Sequence, residues 1–273
     1  MTRPFISLLS DFGARDPSAA IMHGVILGIA PAARIVDISH EVHKFAIRDG
    51  ALLLWCALPY LPVGFHVAVV DPGVGTSRRP VAISSRRGDV LIGPDNGLLV
   101  AAADRVGGIE SVRVLEAPEY RLPVVSTSFH GRDIFAPAAA HLAAGVPFGA
   151  LGPQVDAASL VASPIPEPQM EPGTLRTSVV YVDTFGNVKL AGLRSDLERA
   201  IGAVSSGQVL SLEIGAPSSR MTAPWVATFG EVPAGSALVY EDSYGRLCVA
   251  ANQANAAKLL GLVEDTPIVV RRP

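Results

Sequence analysis

The sequence predicts an α/β fold, with an N-terminal α/β layered domain followed by a smaller antiparallel β domain. Three observations carry that expectation. Short apolar runs alternate with helically spaced segments through the first half of the chain. The stretch Pro164-Ile-Pro-Glu-Pro-Gln-Met-Glu-Pro172 reads as a semi-rigid linker, because proline at that density fits neither a helix interior nor a sheet. Beyond it, short strand-like runs are separated by Gly, Pro and Asn turns. The expected division is residues 1–163, a Pro-rich linker at 164–173, and residues 174–273.

Taken in order, Phe5–Ser10 is an apolar strand halted by Asp11-Phe12-Gly13. Ser18–Ala30 has helical spacing, with Met22, Val25, Ile26 and Ile29 on one face. Arg34–Ile38 is a strand, Arg48–Leu58 a helix, and Phe65–Val70 a strand buried on both sides. Val81–Ser84 and Val90–Ile92 are further short strands; Leu98–Arg105 and Ile134–Ala144 are helices. In the second half Thr177–Val182, Val209–Ile214, Ser236–Tyr240 and Leu247–Ala250 read as strands, with one or two short helical pieces between them. No internal repeat or low-complexity tract is visible.

Composition narrows the function. The chain has 273 residues, 49% of them hydrophobic and 17% charged, which suits a large packed core rather than disorder. A balance of 22 basic and 25 acidic residues, without a basic run, argues against a general nucleic-acid binder. No apolar stretch reaches the roughly 20 residues of a membrane helix. The first residues show neither a charged n-region nor an apolar signal core, so a cytoplasmic protein is expected. Cys56 and Cys248 each lie in an apolar run and are expected to be buried, reduced thiols.

Polar clusters follow the apolar strands, where an α/β site belongs. They are Asp11, the turn Asp71-Pro-Gly-Val-Gly-Thr-Ser-Arg78, the turn Gly93-Pro-Asp95-Asn96-Gly97, and Ser126-Thr-Ser-Phe-His130-Gly-Arg-Asp133. Asp-Pro-Gly and Pro-Asp-Asn-Gly form turns in any protein, and a single histidine can simply cap a helix or sit in a core. Several such clusters on one scaffold favour a site. The phosphate-loop and dinucleotide glycine patterns are absent, as is GxSxG. Asp37, His40, Glu41 and His43 are conceivable metal ligands, but HEVH is one residue short of the helical HExxH pair, and no metal is expected. In the second half Asp183-Thr-Phe-Gly-Asn187 reads either as a turn or as a holder of a polar ligand, and Asp242-Ser-Tyr-Gly245 as a hairpin turn.

The motifs SDFG (Ser10–Gly13), VDPGVGTSRR (Val70–Arg79), GPDNGLL (Gly93–Leu99), FHGRDIFAP (Phe129–Pro137), DTFGN (Asp183–Asn187) and DSYGRL (Asp242–Leu247) occur in this order. Together they resemble the S-adenosylmethionine (SAM) hydroxide adenosyltransferases, relatives of the SAM-dependent fluorinase and chlorinase. The resemblance implies a C-terminal β-barrel-like domain and a homotrimer, with SAM held between the N-terminal domain of one chain and the C-terminal domain of its neighbour. It implies attack of water or hydroxide on ribose C5′, giving adenosine and L-methionine without a cofactor. The catalytic set it implies is Asp71, Arg78 and His130; which of Asp71 and His130 takes the proton stays open. Position by position it puts Asp11 on the ribose hydroxyls and Phe45 against the sugar. Asn187 and Phe229 fall on adenine, Asp183 and Ser243 on the methionine ammonium and carboxylate, with Asp16 and Ser18 also at the methionine end. Tyr244 stands where the fluorinase has an arginine for that carboxylate.

Two rival readings remain. A halogenase would use chloride or fluoride on the same scaffold, but the halogenases have a tyrosine and a proline at Val70 and Asp71, and a carboxylate beside the nucleophile repels a halide. A non-catalytic SAM or adenosine sensor would need the binding positions alone.

Overall fold

The computed structural model describes residues 3–215 and 218–273. The chain forms two compact units, one ending at Pro164 and one beginning at Ile165.

In the first unit β1 (Phe5–Ser10), α1 (Ser18–Ile29), β2 (Arg34–Ser39), α2 (Ile47–Ala57) and β3 (Phe65–Val69) alternate. They are followed by β4 (Pro80–Ser85), β5 (Val90–Pro94), α3 (Val100–Arg105), β6 (Ile109–Val114), α4 (Ala136–Ala143) and the two-residue β7 (Gln154–Val155). The strands form one sheet in the order β2-β1-β3-β5-β4-β6-β7. The first four in that order run parallel, and β4, β6 and β7 complete it antiparallel. Every residue of β1 is buried, the signature of a strand covered on both faces, whereas β2 at the edge is largely open to solvent. Ile6, Leu8, Val67 and Val69 share a core with Met22 and Ile26 of α1 and Ala138, Ala139 and Leu142 of α4. α2 and α3 pack on each other and on β1 and β4 respectively, their buried Leu52, Leu54 and Ala102 lying outside that cluster. Helices are thus layered on a mixed sheet, and the parallel strands β1, β3 and β5 point their carboxyl ends toward one edge.

One polar network is sealed inside this unit. Ser7 Oγ lies 2.7 Å from His66 Nδ1, and His66 Nε2 lies 3.1 Å from Asp89 Oδ1. Arg87 and Ser85 complete the shell of Asp89. Ser7, His66 and Asp89 have no exposed surface.

Two expectations need correcting here. Ile134–Ala144 is not one α-helix: Gly131–Phe135 forms a π-helical turn before α4. Pro137 has no N–H for the carbonyl of Asp133, and that carbonyl accepts from Leu122 N instead. The turn closes by the wider bond from Ala136 N to Gly131 O. The proline-rich segment is also not wholly outside the sheet. Gln169–Glu171, a non-proline triplet flanked by Pro168 and Pro172, retains its N–H groups and pairs antiparallel with the strand that follows.

That triplet is β8 of the second unit. It precedes β9 (Thr174–Val182), β10 (Val188–Leu193), α5 (Arg194–Ile201), β11 (Val209–Ile214), β12 (Ser219–Pro224), β13 (Ala237–Glu241), β14 (Arg246–Ala251), α6 (Ala256–Leu260) and β15 (Pro267–Arg271). The order is β12-β11-β15-β9-β10-β14-β13, antiparallel throughout, with β8 beside β9. A bridge between Trp225 and Val239 brings the two ends of the path together, so the sheet is a nearly closed barrel. Leu175, Leu190, Leu212, Leu247 and Ile268 fill its interior, with Leu197 of α5 in the same cluster. Cys56 and Cys248 are free and buried. Among the described residues no helix is long and apolar enough to cross a membrane.

Candidate active site

β1 and β3 are parallel neighbours, with Ser10 opposite Val69. The residues that follow them, Asp11 and Asp71, therefore emerge at the same edge. The turn from Asp71 to Arg78 folds against the loop carrying His130. Gly75, at φ 76°, makes that approach possible, since a Cβ there would lie 2.3 Å from the carbonyl oxygen of Thr127.

Arg78 grips Asp71 as a fork, with Nε 3.1 Å from Oδ1 and Nη2 on Oδ2. The same Nη2 lies 3.0 Å from His130 Nδ1. A guanidinium only donates, so Nδ1 accepts and the neutral imidazole carries its proton on Nε2. Arg78 also lies over the Phe135 ring, and its Nη1 is buried without a hydrogen-bond partner. Burial pushes the Asp71 carboxyl above its ordinary range, and the charge and hydrogen bonds of Arg78 offset only part of that. Burial, then the nearby charge of Arg78, lowers His130, which is neutral at pH 7.

Asp71 and His130 share a cleft of about 410 Å³ with Asp11, Asp16, Ser18 and Phe45. Asp11 Oδ2 accepts from Phe45 N at 2.9 Å, and the Lys44 ammonium donates to the Asp11 carbonyl. Phe45 is held at φ 65° with 70% of its surface exposed. A positive φ is costly for a bulky residue, and such strain clusters at ligand sites. Gly131 borders the cleft where a Cβ would come within 3.3 Å of Met22, Phe12 and Phe129.

The second unit carries its own cleft, of about 720 Å³, lined by Asp183, Asn187, Phe229, Ser243 and Tyr244. Asp183 Oδ1 accepts from the backbone N–H of Phe185 and Asn187, and its Oδ2 accepts from Asn187 Nδ2, each at 2.9 Å. Asp183 thus fixes the turn and also faces the cleft. Phe229 packs on Tyr240, ring centres 5.0 Å apart.

The structure gives other motif residues bracing duties. Asp95 accepts from Arg79 and from Val161 N, and Asn96 Nδ2 pins the carbonyl of Val70 at 2.8 Å; neither lines either of these two clefts. Glu41 is taken by Ala14 N, and His43 faces Asp49. Sequence reasoning missed Lys44 on the first cleft and Lys189 on the second, and gave no individual role to Phe12, Ser128, Phe185, Gln253 or Asn255, which also line them. Lys189 pairs with Asp242 beside the Tyr244 ring, an arrangement that only the β10–β14 pairing creates.

A layered α/β unit with a carboxylate–guanidinium–imidazole cluster at its strand ends, followed by a barrel with an aromatic-lined cleft, defines a two-unit enzyme. Family models place it further: the SAM hydroxide adenosyltransferase N-terminal domain matches residues 6–152 and the C-terminal domain residues 177–269. The chain belongs to the SAM hydroxide adenosyltransferase family. It is 42% identical over 259 residues to the (R)-S-adenosyl-L-methionine hydrolase of Salinispora arenicola, covering 95% of this chain and 94% of that one. It is 28% identical over 296 residues to the fluorinase of Actinopolyspora mzabensis, covering 99% and 98%. A crystal structure of an uncharacterized conserved protein from Thermotoga maritima superposes with a TM-score of 0.90 at 33% identity, covering 98% of this chain and all of that one.

Proposed function

We propose that the chain hydrolyses S-adenosyl-L-methionine to adenosine and L-methionine, with water attacking ribose C5′. The name of the Salinispora relative supports the overall reaction. The observation that carries the residue-level reading is the Asp71–Arg78–His130 cluster, with Asp71 and His130 on the wall of the cleft that also holds Asp11 and Phe45.

The sulfonium is already an excellent leaving group. As the water oxygen bonds to C5′, the C5′–S pair withdraws to sulfur and leaves a neutral thioether, so no acid is required and the reaction balances without a cofactor. The protein supplies an oriented water and an acceptor for its proton. With Nδ1 of His130 engaged by Arg78, its Nε2–H is a donor that orients the water rather than a base. Asp71, with its pKa raised, is the better acceptor, and Arg78 holds its plane. Asp11 and Phe45 address the ribose, and Asp16 and Ser18 the methionine end. Asn187 and Phe229 address adenine, and Asp183, Ser243 and Tyr244 the amino-acid end.

One substrate draws on both clefts if neighbouring chains of a homotrimer contribute one unit each. Mixing inactive Asp71→Ala and Asn187→Ala chains is then expected to restore part of the turnover, because some mixed sites contain neither change. A mixture as inactive as its components would count against shared sites. For the reaction itself, purified chain incubated with SAM should give adenosine and methionine with or without chloride. Chloride-dependent 5′-chloro-adenosine would favour the halogenase reading, and binding without turnover the sensor reading.

A further inference from the structure

We propose that His23, Asp37 and His40 form a binding site for one divalent transition-metal ion, such as Zn²⁺. His23 lies on α1, Asp37 on β2, and His40 just beyond the end of β2. His23 Nε2 is 2.8 Å from Asp37 Oδ1, and His40 Nε2 is 3.1 Å from the same oxygen. All three donor atoms lie within 4.8 Å of one another. Zinc bonds of about 2.0–2.2 Å at tetrahedral angles place adjacent donors about 3.3–3.6 Å apart, so both pairs need to open by only about half an ångström to admit the ion. Two imidazoles and one carboxylate on one side of an ion form a triad that leaves the remaining positions to water.

A hydrogen-bonded trio could show similar distances, and the state of His40 separates the two cases. Its side chain is only 10% exposed, and Nε2, although 3.1 Å from Asp37 Oδ1, makes no hydrogen bond of good geometry. Leaving a buried ring nitrogen unsatisfied is costly, whereas a lone pair aimed at a metal is satisfied. The other ring nitrogen is already fixed: Nδ1 lies 2.7 Å from Ser10 Oγ, a partner that holds the ring with Nε2 toward Asp37. Metal-ligating histidines are oriented through their second nitrogen in this way. His23 and Asp37 are partly open, with side chains 30% and 43% exposed, so an ion can enter and keep water ligands.

The ion would fasten α1 to β2 and, through Ser10, to the end of β1 from which Asp11 emerges. The site is separate from the water-orienting cluster and rests on no part of the hydrolase reading. The test uses full-length protein stripped with a chelator, dialysed, and titrated with ZnCl₂ by calorimetry, with thermal unfolding followed in parallel. One saturable Zn²⁺ per chain and a higher Tm are expected. Asp37→Asn and His23→Ala should each weaken binding by about 10- to 100-fold or more, while His43→Ala leaves it unchanged. His23→Gln serves as a second variant should His23→Ala fold poorly. The proposal is overturned if the wild-type chain shows no saturable binding. It is equally overturned if folded Asp37 and His23 variants bind Zn²⁺ as the wild type does.

Discussion

Aspartate, arginine and histidine meet twice in the first unit, at Asp71–Arg78–His130 and at Asp89–Arg87–His66, and the two meetings have opposite electrostatics. Asp89 accepts at both oxygens from His66, Arg87 and Ser85, with contacts of 2.7–3.2 Å. Burial alone would raise its pKa, but hydrogen bonds and charges from His66 and Arg87 prevail and hold it far below the ordinary carboxylate range. Asp71 has the fork of Arg78 and one backbone contact from Gly73, and for it burial prevails. Identical residue types therefore yield a saturated, inert carboxylate in one place and an under-satisfied, more basic one in the other. The second also reaches a cleft, while the first reaches nothing outside the core. What separates the proposed reactive carboxylate from the scaffolding one is the accepting capacity left over for something else.

Alanine at each aspartate should divide the two roles most sharply. Asp71→Ala is expected to lower kcat by about 10²- to 10⁴-fold, the usual weight of a general base, with adenosine binding retained. Full turnover in that variant would remove Asp71 from the reaction. Asp89→Ala strands Arg87 and His66 around a buried gap, and urea unfolding should show a loss of about 3–5 kcal/mol. If Asp89→Ala instead unfolded like the wild type, the saturated network would carry no stability.

The opposite pKa directions give opposite behaviour in acid. As the proposed general base Asp71 must be ionised, so kcat/KM should fall on the acid side through an apparent pKa above the ordinary value of about 3.9. Asp89 has a depressed folded pKa, so its contribution to stability is complete above about pH 3.9 and is lost as pH falls toward the folded value. Activity should therefore decline at a higher pH than the Asp89-linked loss of stability. In Asp89→Asn the drop in Tm below about pH 4 should be shallower than in the wild type. Coincident decline of activity and Tm would mean that simple unfolding sets the acid limit.

Much of the fold could be read because the central strands leave little choice. A run such as Phe5–Ser10 with no interior charge has to be covered on both faces, and Val209–Ile214 alternates as a half-buried strand does. Ile109–Val114, Val188–Leu193, Ser219–Pro224 and Pro267–Arg271 escaped notice because each mixes its apolar residues with charge, Gly or Pro, and becomes a strand through its partners. Polar clusters after β1 and β3 were legible for the same reason as the strands themselves. Lys44 on one cleft and Lys189 on the other were not, since only tertiary packing turns them inward. His23 shows this most clearly. Sequence proximity joined Asp37 and His40 to Glu41 and His43, whereas the fold joins them to a helix residue on another element.

The smallest expected effect concerns Ser7, which with His66 and Asp89 reproduces the order of contacts in a serine-nucleophile triad. The ring nitrogens are exchanged relative to that triad, with Ser7 on Nδ1 and Asp89 on Nε2, and all three side chains are sealed from solvent, so no substrate can approach. Ser7→Ala leaves His66 Nδ1 buried without its partner, a cost of about 1–3 kcal/mol. Chemical denaturation should register that loss while kcat and KM for SAM stay at wild-type values. Loss of turnover in a Ser7→Ala protein that still folds would reverse the assignment of the two clusters, making the sealed one the reactive one.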